Sequence, residues 1–188
     1  MRRVLYGLLS SALLLAGAAS WADDYTDTEA LFRNAGESRA FFQNCYGYAV
    51  FPTIGKGGFV VGGAHGNGRV YAHGKYVGDT SMTQLSVGLQ AGGQAYSQIV
   101  FFEDQRSFAD FTKGDFEFGA DANAVAITAA AGASASTAGA SSGASGGMKD
   151  ATTAGRYYKG MAVFTIVKGG AMFQATVAGQ KFKYTPRG

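Results

Sequence analysis

The sequence is poor in the residues that form disulfides, zinc sites and histidine-based catalytic sites. Of its 188 residues, one is a cysteine, Cys45, and two are histidines, His65 and His73. A single cysteine excludes an intramolecular disulfide, and one cysteine with two histidines matches no zinc-ligand spacing. Cys45 has aromatic neighbours, which favours a buried small side chain over a reactive thiol. No arrangement of nucleophile, base and orienting residue is found, so the sequence predicts a non-catalytic protein without metal or cofactor.

The sequence also lacks an apolar run long enough for a membrane-spanning helix. Val4–Leu15 is mostly apolar, whereas a spanning helix needs about 20 such residues. Two arginines precede this run, and a small-x-small site follows at residues 20–22, a layout typical of a secretory signal peptide. We therefore predict a signal over residues 1–22 and one exported domain over 23–188, in the periplasm or cell envelope or secreted. A retained N-terminal anchor is the alternative.

Glycine is abundant between residues 55 and 75, but the known phosphate-binding loops are absent there. Five residues, not four, separate Gly68 from Gly74-Lys75, and Tyr76 follows where a phosphate-binding loop has Ser or Thr. The dinucleotide fingerprint is likewise incomplete and no helix is predicted after it. Asn67-Gly68 predicts a hairpin turn, and the other glycines are expected to let strands bend or pack closely.

Residues 25–45 have helical spacing and predict an amphipathic N-terminal helix, which Gly36 could divide in two. Thr26 and Glu29 fit a capping box at its start. The predicted apolar stripe consists of Leu31, Ala35, Phe42 and Cys45. Such a helix more often covers the core of its own domain than a membrane.

After residue 46 the spacing alternates and predicts strands. One strand over residues 48–52 is expected to stop at Pro52, because proline cannot donate to a ladder. In another, over 85–91, Leu85 should face the core and Gln84 the solvent. A last strand over 180–184 should place its lysines opposite its two aromatic residues.

A short helix is predicted over residues 107–113, with Gly114 as its left-handed cap. Residues 129–147 contain only small side chains and predict a flexible Ala/Gly/Ser loop within the domain. The predicted fold class is α+β, with the N-terminal helix or helices packed on a twisted, mainly antiparallel sheet or partial barrel.

Several short motifs, in order along the chain, resemble those of the SYLF domain family, a lipid-binding family with Ysc84-type, actin-regulator-like domains. They are residues 48–52 (YAVFP), 57–63 (GGFVVGG), 66–68 (GNG), 86–92 (SVGLQAG), 99–102 (IVFF), 118–121 (FGAD) and 158–160 (YKG). The resemblance implies a non-catalytic domain that binds phospholipids. Because the chain is predicted to be exported, anionic phospholipid membranes are the expected partner, and neither actin nor nucleic acid is.

Positive charge is concentrated towards the C-terminus, where residues 149–188 carry seven basic residues and one acid. The candidate lipid-binding residues are six of these, Lys149, Arg156, Lys159, Lys168, Lys181 and Lys183, with Arg33 and Arg39 of the N-terminal helix. Basic groups attract anionic bilayers, but lysines on a strand also protect a sheet edge from aggregation. The alternative functions are a structural envelope protein or a small outer-membrane β-barrel.

Overall fold

The computed structural model describes residues 19–58, 61–87, 93–119, 122, 124–127, 157–169 and 177–188, and the statements below concern these residues. The helices are α1 (Ala19–Asn34), α2 (Gly36–Arg39), α3 (Phe41–Asn44) and α4 (Gln105–Thr112). The strands are β1 (Gly47–Gly58), β2 (Val61–Ala72), β3 (Lys75–Val87), β4 (Gln94–Phe102), β5 (Phe116–Glu117), β6 (Val125–Ile127), β7 (Met161–Gly169) and β8 (Gln180–Pro186). The predicted loop at 129–147 lies outside the described residues.

All eight strands belong to one sheet, in the order β5-β8-β3-β2-β1-β4-β7-β6. Every pairing is antiparallel except that of β6 with β7. The sheet curls strongly, because Gln98 of β4 and Gln180 of β8 form side-chain hydrogen bonds of 2.9 and 3.1 Å although three strands separate them in the sheet. The prediction of a mainly antiparallel, curled sheet is therefore confirmed.

The sheet carries helices on both sides. We call the side covered by α1–α3 the outer side; there Phe32, Ala35 and Phe41 pack with Phe101 and Phe164 of the strands. The opposite, inner side contains the larger apolar cluster, which includes Phe51, Phe102, Phe111 of α4 and Phe182. Both halves of the core are rich in phenylalanine, and these large buried rings stabilise a fold that cannot form an intramolecular disulfide.

The predicted N-terminal helix is present, but its details differ. It divides into three pieces, with the first break at Ala35, whose backbone is extended. Thr26 and Glu29 lie well inside α1, so the predicted capping box is wrong. Phe32, fully buried, faces the core in place of Leu31, which is 51% exposed. The other members of the predicted stripe lie in or against the core, with Ala35 3% exposed and Phe42 and Cys45 partly buried.

The predicted turn at Asn67-Gly68 is wrong, because β2 continues through it to Ala72. The chain turns instead at His73 and Gly74, which both have positive φ angles, of 48° and 75°. The glycine at 68 has another role: a Cβ there would lie 2.6 Å from the ring of Phe51. Glycine thus permits close packing of β2 on the core, as the sequence predicted for this stretch.

Two other strand predictions need correction. β1 does not stop at Pro52 but continues to Gly58, with an irregularity in its pairing between Val50 and Ile54, which is where a strand tolerates proline. In β3 the two faces are reversed, since Gln84 is 5% exposed and Leu85 is 85% exposed. The buried Gln84 amide is satisfied by donating to the carbonyl oxygen of Ala178 at 2.8 Å.

The short helix α4 forms where it was predicted. Asp104 caps it, accepting a 2.8 Å hydrogen bond from the backbone N–H of Ser107. Gly114 follows with a φ of 112°, a backbone conformation that favours glycine, as expected. Phe108 and Phe111 join the inner cluster, so α4 covers one part of the inner side.

Polar side chains also lie inside the curled sheet. Gln180 donates from Nε2 to the hydroxyl of Tyr96 at 3.3 Å in addition to its bonds with Gln98. Tyr96 is 4% exposed, and burial raises its pKa to about 12, although the hydrogen bond from Gln180 acts in the opposite direction.

This raised pKa predicts a loss of stability in alkali. The unfolded chain releases the Tyr96 proton at pH about 10, whereas the folded chain retains it to about 12. The stability contribution is therefore complete below pH 10 and disappears as pH rises through this window, by about 2–3 kcal/mol. Denaturant unfolding at several pH values should show a shallower alkaline decline for Tyr96→Phe than for the parent. Identical declines would contradict the assignment.

Candidate functional site

The structure places the eight predicted lipid-binding cations in different surroundings. Lys149 and Arg156 lie outside the described residues. Arg33 and Arg39 lie on α1 and α2, and Lys159 lies in the turn before β7. The remaining three, Lys168, Lys181 and Lys183, lie on β7 and β8 and point to the outer side of the sheet.

The lysines of β8 point outwards because their neighbours point inwards. Gln180 is fully buried and Phe182 is 1% exposed, and side chains alternate along a strand. Lys181 and Lys183 are exposed on the opposite side, which confirms their predicted orientation. They pair with Thr83 and Ser81 of β3, which in turn pair with His65 and Asn67 of β2. The outer side of β8, β3 and β2 is thus a polar surface.

Lys168 reaches the same outer side from the other half of the sheet. Its Nζ donates a 3.2 Å hydrogen bond to the hydroxyl of Thr53 in β1, and both residues are exposed. Neighbouring strands lie about 4.8 Å apart, so the Lys168 side chain extends across β4 to β1. We call the outer surface formed by Lys181, Lys183, Thr83 and Ser81 the basic face. Lys168 lies on the same side of the sheet, but four strands separate β7 from β8.

One carboxylate lies close to the basic face. Glu117 of β5 pairs with Lys181 in register, and its Oε2 lies 3.5 Å from the Lys181 Nζ. Both side chains are more than half exposed, at 51% and 67%. An exposed pair of this kind is weak, so Lys181 can exchange Glu117 for an external anion.

Two arginines that were absent from the predicted set extend this surface. The guanidinium carbons of Arg69 and Arg187 lie 5.1 and 4.9 Å from the ring centroid of Tyr76. Arg69 also stacks on Tyr25 of α1, at 4.3 Å. The Tyr76 hydroxyl donates to Asp79 at 2.7 Å. Continued alternation along β8 could have indicated Arg187, whereas the place of Arg69 depends on strand pairing.

Arg33 is occupied within its own helix bundle. Its Nη2 lies 2.6 Å from Oε1 of Glu29, and its guanidinium carbon is 4.1 Å from the ring centroid of Phe42. These contacts hold α1 against α3, so Arg33 has a structural role in the fold. Arg39 is exposed on α2. The two helical arginines do not lie with the lysines of the basic face.

Lys159 belongs to a separate turn at the start of β7. It has a φ of 51°, and its Nζ lies 5.2 Å from the ring centroid of Tyr158, which is 39% exposed. The next residue, Gly160, accepts a 2.8 Å hydrogen bond from the backbone N–H of Glu103. Lys159 therefore lies where β4 leads into α4.

The part of the chain that the structure describes contains no group of three His, Cys, Asp or Glu side chains placed to hold a metal ion. Among the same residues, no helix combines the length and the apolar character needed to cross a membrane.

Comparison with known proteins gives two matches. The first is a protein from Aeromonas veronii named Beta cell expansion factor A, which is 27% identical over 154 residues, or 81% of this chain and 51% of that protein. This chain thus spans about half the length of that relative. The second is a family model, described as Ysc84, Las17-binding protein actin regulator, which matches residues 83–184. The match contains β4, α4, β7 and most of β8, with Lys168, Lys181 and Lys183, and it covers more than half of the 188 residues. The chain belongs to the Ysc84 family, whose domain is also called SYLF.

Proposed function

We propose that this protein binds anionic phospholipid membranes at their surface, through the basic face. Membership of the Ysc84 family indicates a binding function, towards lipid or in actin regulation. The observation that favours anionic lipid is the exposure of Lys181 and Lys183, two residues apart on the outer side of β8, with Lys168 also exposed on the outer side of β7. In this proposal the protein is exported, has no catalytic activity and acts by contact.

The charge of the exposed lysines favours such binding. A lysine near an anionic bilayer contributes on the order of 1 kcal/mol. Lys168, Lys181 and Lys183 would together contribute about 3 kcal/mol, a weak and reversible attraction. Since these side chains are exposed, salt should screen the attraction, with a Debye length of roughly 10 Å at 0.1 M.

Co-sedimentation with lipid vesicles tests the proposal. The exported chain, residues 23–188, should bind vesicles that contain an anionic phospholipid, bind neutral vesicles much less, and dissociate as salt is raised. Extraction of membranes with salt or carbonate should likewise release it, whereas an integral envelope protein would require detergent. Equal binding to neutral and anionic vesicles, or no binding to either, would refute the proposed function.

Removing the competing carboxylate should strengthen binding. In Glu117→Gln, the Lys181 ammonium loses its partner at 3.5 Å and becomes available to a lipid phosphate. Because exposed ion pairs are weak, we expect a gain of about two- to fivefold in affinity for anionic vesicles, measured by co-sedimentation at low salt.

The control is Asp110→Asn, which removes a carboxylate that pairs with Lys113 on α4, away from the basic face. Both variants lose one negative charge. An equal gain in the two would indicate an effect of net charge, and would contradict a specific role for Lys181.

A further inference from the structure

Leu85 is the most exposed large apolar side chain among the described residues. It is 85% exposed, against 51% for Leu31 and 39% for Tyr158. Other large apolar side chains of the sheet, such as Met82 and Phe182, are buried in the core. A single exposed leucine is common on protein surfaces, so its exposure alone does not indicate a function. The residues around Leu85 and the order of buried and exposed residues in β3 are what point to a function.

The neighbours of Leu85 belong to the basic face. Leu85 lies two residues beyond Thr83 on β3, and Thr83 pairs with Lys181. Residues two apart on a strand are about 7 Å apart and point to the same side, so Leu85 lies near Lys181 of β8. Its partner on β2 is Gly63, which has no side chain to cover it. An apolar group therefore projects from one end of the basic face.

Strand pairing requires position 85 to face outwards, but it does not require an apolar side chain there. The adjacent Gln84 is buried and Leu85 is exposed, the opposite of what burial of apolar surface favours. A polar residue that is buried beside an exposed apolar residue is a local exception of the kind expected at functional sites. The apolar side chain is thus available to an external partner.

We propose that Leu85 enters the boundary between headgroups and acyl chains, so that this end of the sheet meets the membrane. The inference rests on the proposed function and adds the orientation of the bound protein. The choice of a membrane over a protein partner follows from charge complementarity, because Lys181 lies diagonally across from Leu85 on the neighbouring strand and Lys183 continues the positive charge along β8. An apolar tip with cationic neighbours suits a surface that is anionic outside and apolar beneath.

Vesicle binding by Leu85→Ser, with Leu31→Ser as the matched control, tests the contribution of this side chain. Leu85→Ser should lower the affinity for anionic vesicles by about fivefold to tenfold, and Leu31→Ser on α1 should not. The effect should persist at raised salt, since apolar insertion is not screened, whereas the effect of the lysines should diminish. A Leu85→Ser variant that binds like the parent overturns the inference while the proposed function stands.

A fluorescent probe reports the position directly. The single tryptophan, Trp21, lies in the predicted signal, so the exported chain contains none. In that chain, Leu85→Trp should show a blue shift and quenching by lipids brominated on their chains when anionic vesicles are added. Leu31→Trp should show neither. Emission from Leu85→Trp that stays unchanged while the protein binds overturns the inference. So does a blue shift without vesicles that grows with protein concentration, which would indicate a second copy as the partner. If the parent chain binds no vesicles, the proposed function fails and the inference fails with it.

Discussion

Replacing Lys168, Lys181 and Lys183 together by glutamine should lower the affinity for anionic vesicles by about ten- to a hundredfold at low salt. The three ammonium groups share the outer side of the sheet, and each contributes on the order of 1 kcal/mol near an anionic surface. The upper value assumes full contributions, whereas Glu117 reduces that of Lys181 through its ion pair. Co-sedimentation across a salt series measures the effect, and the parent and variant should converge as salt is raised.

The matched control is the triple variant Lys75→Gln, Arg106→Gln and Lys113→Gln. Lys75 lies at the β2–β3 turn and the other two lie on or beside α4, and all three are exposed. Both triple variants lose three positive charges, so a change in net charge affects them equally. Arg69 is unsuitable as a control because it extends the same surface and stacks on Tyr25 and Tyr76. Equal losses in both variants would mean that affinity follows net charge and would exclude a localised basic face.

The orientation of Lys181 and Lys183 could be predicted from the sequence because it depends on local alternation. Phe182 and Tyr184 are apolar, the core attracts them, and the lysines between them must face the other way. The same reasoning gave the wrong face at Leu85. There the orientation of β3 is fixed by its pairing with β2 and β8, where Met82 and Phe182 are both buried partners. A shift of one residue exchanges the two faces of a strand. The alternating sequence around Leu85 does not show which residues β3 will pair with, so it cannot fix that shift.

The glycines at 66 and 68 show a second limit. Asn67-Gly68 has the composition of a hairpin turn, but glycine also occurs wherever two backbones or a backbone and a ring approach closely. A Cβ at Gly66 would lie 2.6 Å from the side chain of Ile54, so the second requirement determines this stretch. Composition alone does not distinguish a turn glycine from a close-contact glycine. Here the deciding contact is with β1, a separate strand. The sequence also did not predict the cluster of Arg69, Tyr76 and Arg187. Its members come from β2, from β3 and from the residue after β8, and only strand pairing brings them together.

Phe182→Ala should destabilise the fold by about 3–5 kcal/mol, the usual cost of removing a buried phenylalanine side chain. Phe182 is 1% exposed, and its ring centroid lies 5.0 Å from that of Phe111, 5.4 Å from Phe118 and 5.7 Å from Phe51. The truncation therefore removes contacts with α4, with the chain after β5 and with β1 together. Chemical denaturation should show a lower midpoint, and Phe182→Leu, which fills part of the cavity, should lose less.

Leu85→Ala is the control for this prediction, since it truncates an apolar side chain on the neighbouring strand that is 85% exposed. Its free energy of unfolding should change by less than about 0.5 kcal/mol, as is usual for surface positions. The two variants thus distinguish an apolar residue that stabilises the core, Phe182 on β8, from one proposed to contact the membrane, Leu85 on β3. Phe182 should affect unfolding far more than Leu85 does, and Leu85 should affect vesicle binding under conditions where both variants are folded. Similar stability losses in the two variants would contradict the opposite orientations of Phe182 and Leu85 in the sheet.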